Sequence, residues 1–115
     1  MNSSFKDKTS LNERKIESLK IRNKYPDRIP IIVEAGNTRV PQIDKCKYLV
    51  PRDITVGQFI YIIRKRIKLK NDKALFLFIN KILPPTSCLI SDIDDKYQAD
   101  DGFIYFTYID ENTFG

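Results

Sequence analysis

The sequence predicts an α+β domain, one layer of mixed sheet with a helix packed across it, and three observations support this. Its elements follow in the order helix, helix, strand, strand, helix, strand, short helix, strand. Its 115 residues suit one domain with a modest core. Its composition, 42% hydrophobic and 30% charged with 7 Phe and 6 Tyr, is that of a folded globule rather than a disordered chain.

Residues 1–25 read as helical and polar. Ser10 with Glu13 three positions on predicts a capping box, and Pro26 ends the helix by disfavouring helical geometry at Tyr25. A shorter helical turn is expected around residues 5–8. The apolar stripe of the longer helix, Ile16, Leu19 and Ile21, is too thin for a bundle, so this helix must lie on something else.

Residues 29–34 form a β-branched strand bounded by the turn-like Ala35-Gly36-Asn37. Pro30 is tolerable there only near the strand's start or where its missing donor faces away from a ladder. A second strand spans 45–50 and stops at Pro51, with Lys45, Lys47 and Leu49 on one face and Cys46, Tyr48 and Val50 on the other. Lysines on a strand mark a protected edge, while Leu49 beside them points to an exposed apolar patch.

Thr55 and Gln58 predict a second capping box, opening a helix whose Val56, Phe59, Ile60, Ile63 and Ile67 share one face. Arg64, Lys65, Arg66 and Lys68 crowd its last turns, where cations suit the helix dipole. The apolar run 75–79 reads as a strand buried on both faces. Asn80-Lys81 is turn-like, a short helix is expected over 89–97, and an aromatic strand over 103–109. The polar residues 110–115 follow as a tail whose end is expected to lie free in solvent, finishing on Gly115.

Composition also removes several functions. Without histidine there is no zinc site of the usual kind and no Cys-His nucleophile pair, and Cys46 and Cys88 have no metal-ligand spacing. No glycine-rich phosphate loop is present. The sequence therefore reads as a non-enzyme with no cofactor and no metal. No apolar run approaches the roughly 18 residues that span a bilayer, and no secretory signal opens the chain, so a cytoplasmic protein is expected. Residues 1–91 carry 19 basic and 8 acidic side chains, whereas 92–115 carry 1 and 7, so the body favours acidic partners. A nucleic-acid-binding domain is the rival from another class, but the aromatics fall mostly at core-facing strand positions rather than beside arginines, and no nucleic acid is expected.

The stretch 20–35, KIRNKYPDRIPIIVEA, resembles the autophagy ubiquitin-like modifiers of the GABARAP type. The similarity continues through KYLVP at 47–51, ITVGQF at 54–59, IRKRI at 63–67, LPPTS at 83–87 and ENTFG at 111–115. It implies a ubiquitin-like β-grasp with a four-stranded mixed sheet and two extra N-terminal helices: a helical extension over 1–25, the grasp domain over 26–109 and a flexible tail over 110–115. It implies conjugation of Gly115 to phosphatidylethanolamine by activating and conjugating enzymes, with a processing and delipidating cysteine protease. The expected location is cytoplasmic and lipid-anchored, on autophagosomal or other vesicle membranes.

The resemblance also implies capture of aromatic-x-x-aliphatic peptides of receptor and adaptor proteins along the strand edge at 47–50. In matching positions the aromatic pocket comprises Glu17, Ile21, Pro30, Ile32, Lys47, Leu49 and Phe103. The aliphatic pocket comprises Tyr48, Val50, Pro51, Ile54, Phe59, Ile62 and Ile63. Arg28, Lys45, Lys47 and Arg66 are placed to meet an acidic flank. An unconjugated peptide-binding adaptor in vesicle trafficking is the alternative. The chain departs from the family at Cys46, where a basic residue is expected, in the acidic run 92–95, and at Arg52, an exchange on a solvated turn.

Overall fold

The computed structural model describes residues 4–37, 40–70 and 73–110. Two helices, α1 (Phe5–Lys8) and α2 (Leu11–Lys24), precede β1 (Arg28–Ala35) and β2 (Lys47–Pro51). Then follow α3 (Val56–Ile67), β3 (Leu75–Phe78), α4 (Ile90–Tyr97) and β4 (Ile104–Asp110). The four strands form one sheet in the order β2-β1-β4-β3. The central β1–β4 pair is parallel and both outer pairs are antiparallel, which is the β-grasp arrangement. Among the described residues no helix is long and apolar enough to cross a membrane.

Strand alternation divides the core between two faces. Ile29, Ile31 and Val33 of β1, with Ile104, Phe106 and Tyr108 of β4, pack against Val56, Phe59, Ile63 and Ile67 of α3 and Ile90 and Ile93 of α4. A smaller cluster on the opposite face holds Phe5, Ile32 and Phe103, with Ile21 and Tyr105 partly buried against it. Phe5 meets Phe103 edge-on at a centroid distance of 5.3 Å, so α1, only four residues long, is anchored by its first side chain. Burying that ring contributes about 2 kcal/mol.

Helix starts follow the hydroxyl caps. The Thr55 hydroxyl accepts from the Gln58 backbone N–H at 3.1 Å while the Gln58 side-chain Oε1 accepts from the Thr55 backbone N–H at 2.8 Å, closing the predicted box on α3. At α2 the box is only half made. Ser10 accepts from the Glu13 N–H, but the Glu13 carboxylate takes the Ser10 hydroxyl instead of its backbone donor. A full box forms at Ser4 and Asp7, ahead of α1.

Three expectations are corrected. β3 is an edge strand, and only Leu75 and Leu77 are buried, while Phe76 and Phe78 are half-buried on the other face. A continuous apolar run does not distinguish the two cases. Arg52 is not a solvated exchange: it is half-buried and its guanidinium lies 3.4 Å from Asp94. Arg52 thus meets the acidic run 92–95 at Asp94 and, at 4.0 Å, at Asp95.

The third correction concerns α2. Ile16 and Leu19 are exposed, so they do not dock the helix; the buried residue is Ser18. Arg14, Ser18 and Arg22, at spacing i, i+4, i+8, share one stripe facing the α4–β4 connection. Arg14 Nε donates to Asp101 at 2.8 Å, and Ser18 donates to the Asp101 carbonyl. Arg22 forms a bidentate pair with Asp94 at 2.7 and 3.0 Å and donates to the Gly102 carbonyl at 2.8 Å. Part of the acidic excess beyond residue 91 is spent on holding this helix.

Candidate functional site

β2 forms one margin of the sheet, and its pairing with β1 decides what it shows outward. The Cys46 carbonyl accepts from the Val33 N–H at 2.8 Å, and the register continues through Ile32↔Lys47, Ile31↔Tyr48, Pro30↔Leu49 and Ile29↔Val50. In an antiparallel ladder, hydrogen-bonded and non-hydrogen-bonded pairs alternate. The backbone groups of Cys46, Tyr48 and Val50 thus face β1, and those of Lys47 and Leu49 face away from it. The same alternation turns the Pro30 nitrogen away from β2, on the side where the β1–β4 ladder begins only at Ile31↔Ile104, so no ladder donor is lost. Among the described residues the outward Leu49 carbonyl accepts only from Arg28 Nη1, at a long 3.3 Å.

The side chains flanking this margin fall into two groups, one on each face. On the α2 side, Pro30, Ile32 and Phe103 are buried and form a floor. Ile21, Glu17 and Leu49 are half-buried around it, and Lys47 is exposed. Lys47 Nζ donates to Glu17 Oε2 at 2.7 Å, bridging α2 and β2. On the α3 side, Val50, Phe59 and Ile63 are fully part of the main core, with Tyr48 and Ile54 packed against them. Tyr48 meets Phe59 edge-on at 5.8 Å. Pro51 is half-buried, and Ile62 is 44% exposed, so it stands at the rim and outside that cluster. The structure thus brings together all of the first set, and all of the second except that Ile62 points outward.

The predicted cations surround both groups, but none stands idle. Arg66 pairs with Asp44 through Nε at 2.8 Å and Nη2 at 3.2 Å. Its hydrogen bond holds the Asp44 carboxyl below its ordinary value. Lys45 lies 5.2 Å from the Tyr48 ring centroid. Burial pushes the Tyr48 hydroxyl up to about 12, and this buried hydroxyl has no hydrogen-bond partner among the described residues. Sequence reasoning missed Asp44. The signal was a lone carboxylate immediately before two lysines, at the start of a basic edge. The pattern of cations in the sequence also gives no hint that Cys46, half-buried, lines a cleft of about 460 Å³ with Phe5, Lys8, Glu34 and Asp44 beside the start of β2. Gly115 lies outside the described residues.

A four-stranded grasp, a docked N-terminal helix pair and an open strand margin between two apolar floors together define a ubiquitin-like protein. Comparison with known proteins makes the class specific. A family profile described as "Autophagy protein Atg8 ubiquitin like" matches residues 13–115. Autophagy-related protein 8 of Schizosaccharomyces pombe is 58% identical over 116 residues, covering 100% of this chain and 96% of that protein. Autophagy-related protein 8c of Arabidopsis thaliana is 59% identical, covering 99% and 97%. The crystal structure of Trypanosoma brucei ATG8 superposes with a TM-score of 0.89 at 40% identity, over 96% of this chain and 97% of that one. Plasmodium falciparum Atg8, solved in complex with a Plasmodium falciparum Atg3 peptide, gives 0.86 at 36% identity, over 94% and 96%. The chain belongs to the Atg8 family of ubiquitin-like autophagy proteins.

Proposed function

We propose that this protein is a modifier joined through Gly115 to phosphatidylethanolamine on autophagosomal membranes, where it captures aromatic-x-x-aliphatic peptides along β2. The observation that carries the peptide half is the placement of one apolar floor on each face of the sheet margin. An extended peptide that adds to β2 alternates its side chains with a period of two. Residues three apart then point to opposite faces. An aromatic side chain directed to the Ile32–Phe103 floor therefore sends the aliphatic one to the Val50–Phe59–Ile63 floor. The outward backbone groups of Lys47 and Leu49 supply the pairing donors and acceptors. Arg28, Lys45, Lys47 and Arg66 supply positive charge for acidic flanking residues.

The conjugation half rests on family membership and on the glycine at position 115. Glycine has no Cβ beside its carboxylate, which suits passage through a narrow enzyme cleft. The catalytic groups are those of the activating and conjugating enzymes; the relative bound to an Atg3 peptide supports partners of that class. In this reading Cys46 and Cys88 have no part in the transfer. A phospholipid brings two acyl chains, which satisfies the two-signal requirement for stable anchoring, at roughly 0.8 kcal/mol for each buried methylene. The tail after β4 is the tether, the grasp domain is the adaptor, and the two N-terminal helices complete one wall of its groove.

Gly115→Ala tests the proposal. In cells of origin the variant is expected to lack the phospholipid adduct by mass spectrometry and to stay off vesicles, while motif-peptide affinity is unchanged by calorimetry. Vesicle recruitment equal to that of the unaltered chain would contradict conjugation at this residue.

A further inference from the structure

The peptide-binding reading assigns Arg66 to an acidic ligand residue, yet in the free protein that guanidinium is already satisfied. Asp44 holds it through two hydrogen bonds, at 2.8 and 3.2 Å, in the side-by-side geometry that suits a carboxylate and a guanidinium. Both partners are solvent-exposed, the Asp44 side chain at 73% and the Arg66 side chain at 45%, so their own charges and hydrogen bonds, not packing, hold them together. Their placement is not neutral with respect to the groove. Asp44 directly precedes Lys45, whose ammonium lies over the Tyr48 ring, and Arg66 stands on the last turn of the helix that carries Phe59, Ile62 and Ile63. On the opposite, α2-side face of the margin Glu17 accepts one hydrogen bond from Lys47 at 2.7 Å.

Resting on the peptide-binding reading above, we infer that Asp44 is a built-in competitor for the acidic flank of the ligand and sets a charge threshold for binding. A ligand with one carboxylate at that position gains little, because it must exchange with an internal carboxylate of equal charge already at bonding distance. A peptide flank with several acidic residues outcompetes it, since its total charge also reaches Lys45 and is not limited to one bidentate contact. The device thus selects among peptides that share the same aromatic and aliphatic anchors. Exposed ion pairs are worth at most about fivefold in an equilibrium constant, so the effect is one of discrimination rather than of all-or-none recognition.

The test uses the full chain and two synthetic peptides with one aromatic-x-x-aliphatic core, one flanked by three acidic residues and one by serines. Calorimetry is run on the unaltered chain, Asp44→Asn, Arg66→Gln and the double variant. Asp44→Asn is expected to tighten the acidic peptide about two- to fivefold and to leave the serine peptide unchanged. In the Arg66→Gln background the same substitution is expected to add no gain beyond that from removing a negative charge near Lys45, measured as less than half the single-variant effect. Equal or weaker binding of the acidic peptide by Asp44→Asn overturns the inference while leaving the groove intact. Binding of neither peptide to the unaltered chain overturns the groove and the inference together. Asp44 is exposed and its thermal unfolding midpoint serves as the control for folding.

Discussion

Gly102→Ala is expected to destabilise the protein by about 3 kcal/mol and to weaken motif-peptide binding at the same time. Gly102 sits at φ +91°, a region that L side chains rarely adopt. A Cβ there would lie 2.3 Å from the Ser18 Oγ and 3.0 Å from its Cβ, so α2 must move away. Movement breaks the Ser18 bond to the Asp101 carbonyl and the two Arg22 bonds to the Gly102 carbonyl. Positive φ costs roughly 1–3 kcal/mol and each lost hydrogen bond about 1 kcal/mol. Because Glu17 and Ile21 ride on α2, the wall of one pocket shifts with it. Urea unfolding measures the first effect and calorimetry the second. An alanine variant with the unfolding midpoint of the unaltered chain would show that α2 is not held at this point.

Asp94→Ala should cost about 3 kcal/mol, because it removes the buried carboxylate that pairs with both Arg22 and Arg52 and leaves Arg22 with no acidic side-chain partner among the described residues. The Asp94 side chain is 6% exposed, whereas Arg22 and Arg52 keep 22% and 35% of theirs in water, which holds the loss near the low end for a buried pair. Asp95→Ala is the internal control. Asp95 is 77% exposed and 4.0 Å from Arg52, and its loss should change stability by less than about 0.5 kcal/mol. The pH dependence follows the same residues. Burial pushes the Asp94 carboxyl up, but hydrogen bonds from Arg22 and Gln98 and the charge of Arg52 bring it below its ordinary value. Asp101 is likewise lowered, burial being outweighed by bonds from Tyr105, the Phe103 N–H and Arg14. A depressed folded-state value gives stability that is fully present above the unfolded carboxylate value and is lost as pH falls through the lower, folded one. The clasp on α2 should therefore hold in full at pH 5, begin to lose its contribution below about pH 4 and fail only as pH falls through the lowered folded values, with a shallower acid limb in Asp94→Ala.

The fold was legible because its signals are local. The Thr55–Gln58 box, the alternation of β4 and the apolar face of α3 each specify an element without reference to the rest of the chain. What held α2 in place was not legible in the same way. Arg14, Ser18 and Arg22 carry no apolar signal, and nothing in a helix's own sequence shows that Asp94, Asp101 and a left-handed Gly102 lie opposite. Burial on both faces was misread for β3 because hydrophobic content does not reveal whether a strand is central or at an edge. The candidate site was half legible. Positions 45–50 announce an edge by Lys45 and Lys47, but its buried floors depend on Phe103 and Ile63, which only tertiary packing brings beside it. The pairing of Lys47 with Glu17 and of Arg66 with Asp44 was hidden for the same reason.

Backbone hydrogen exchange with and without an aromatic-x-x-aliphatic peptide tests the central claim, that β2 accepts a ligand strand. Exchange is expected to slow at the amides of Lys47 and Leu49, the two that face away from β1, with Tyr48 and Val50 protected in both states. Unchanged exchange at Lys47 and Leu49 under saturating peptide, with new protection elsewhere on the sheet, would contradict it.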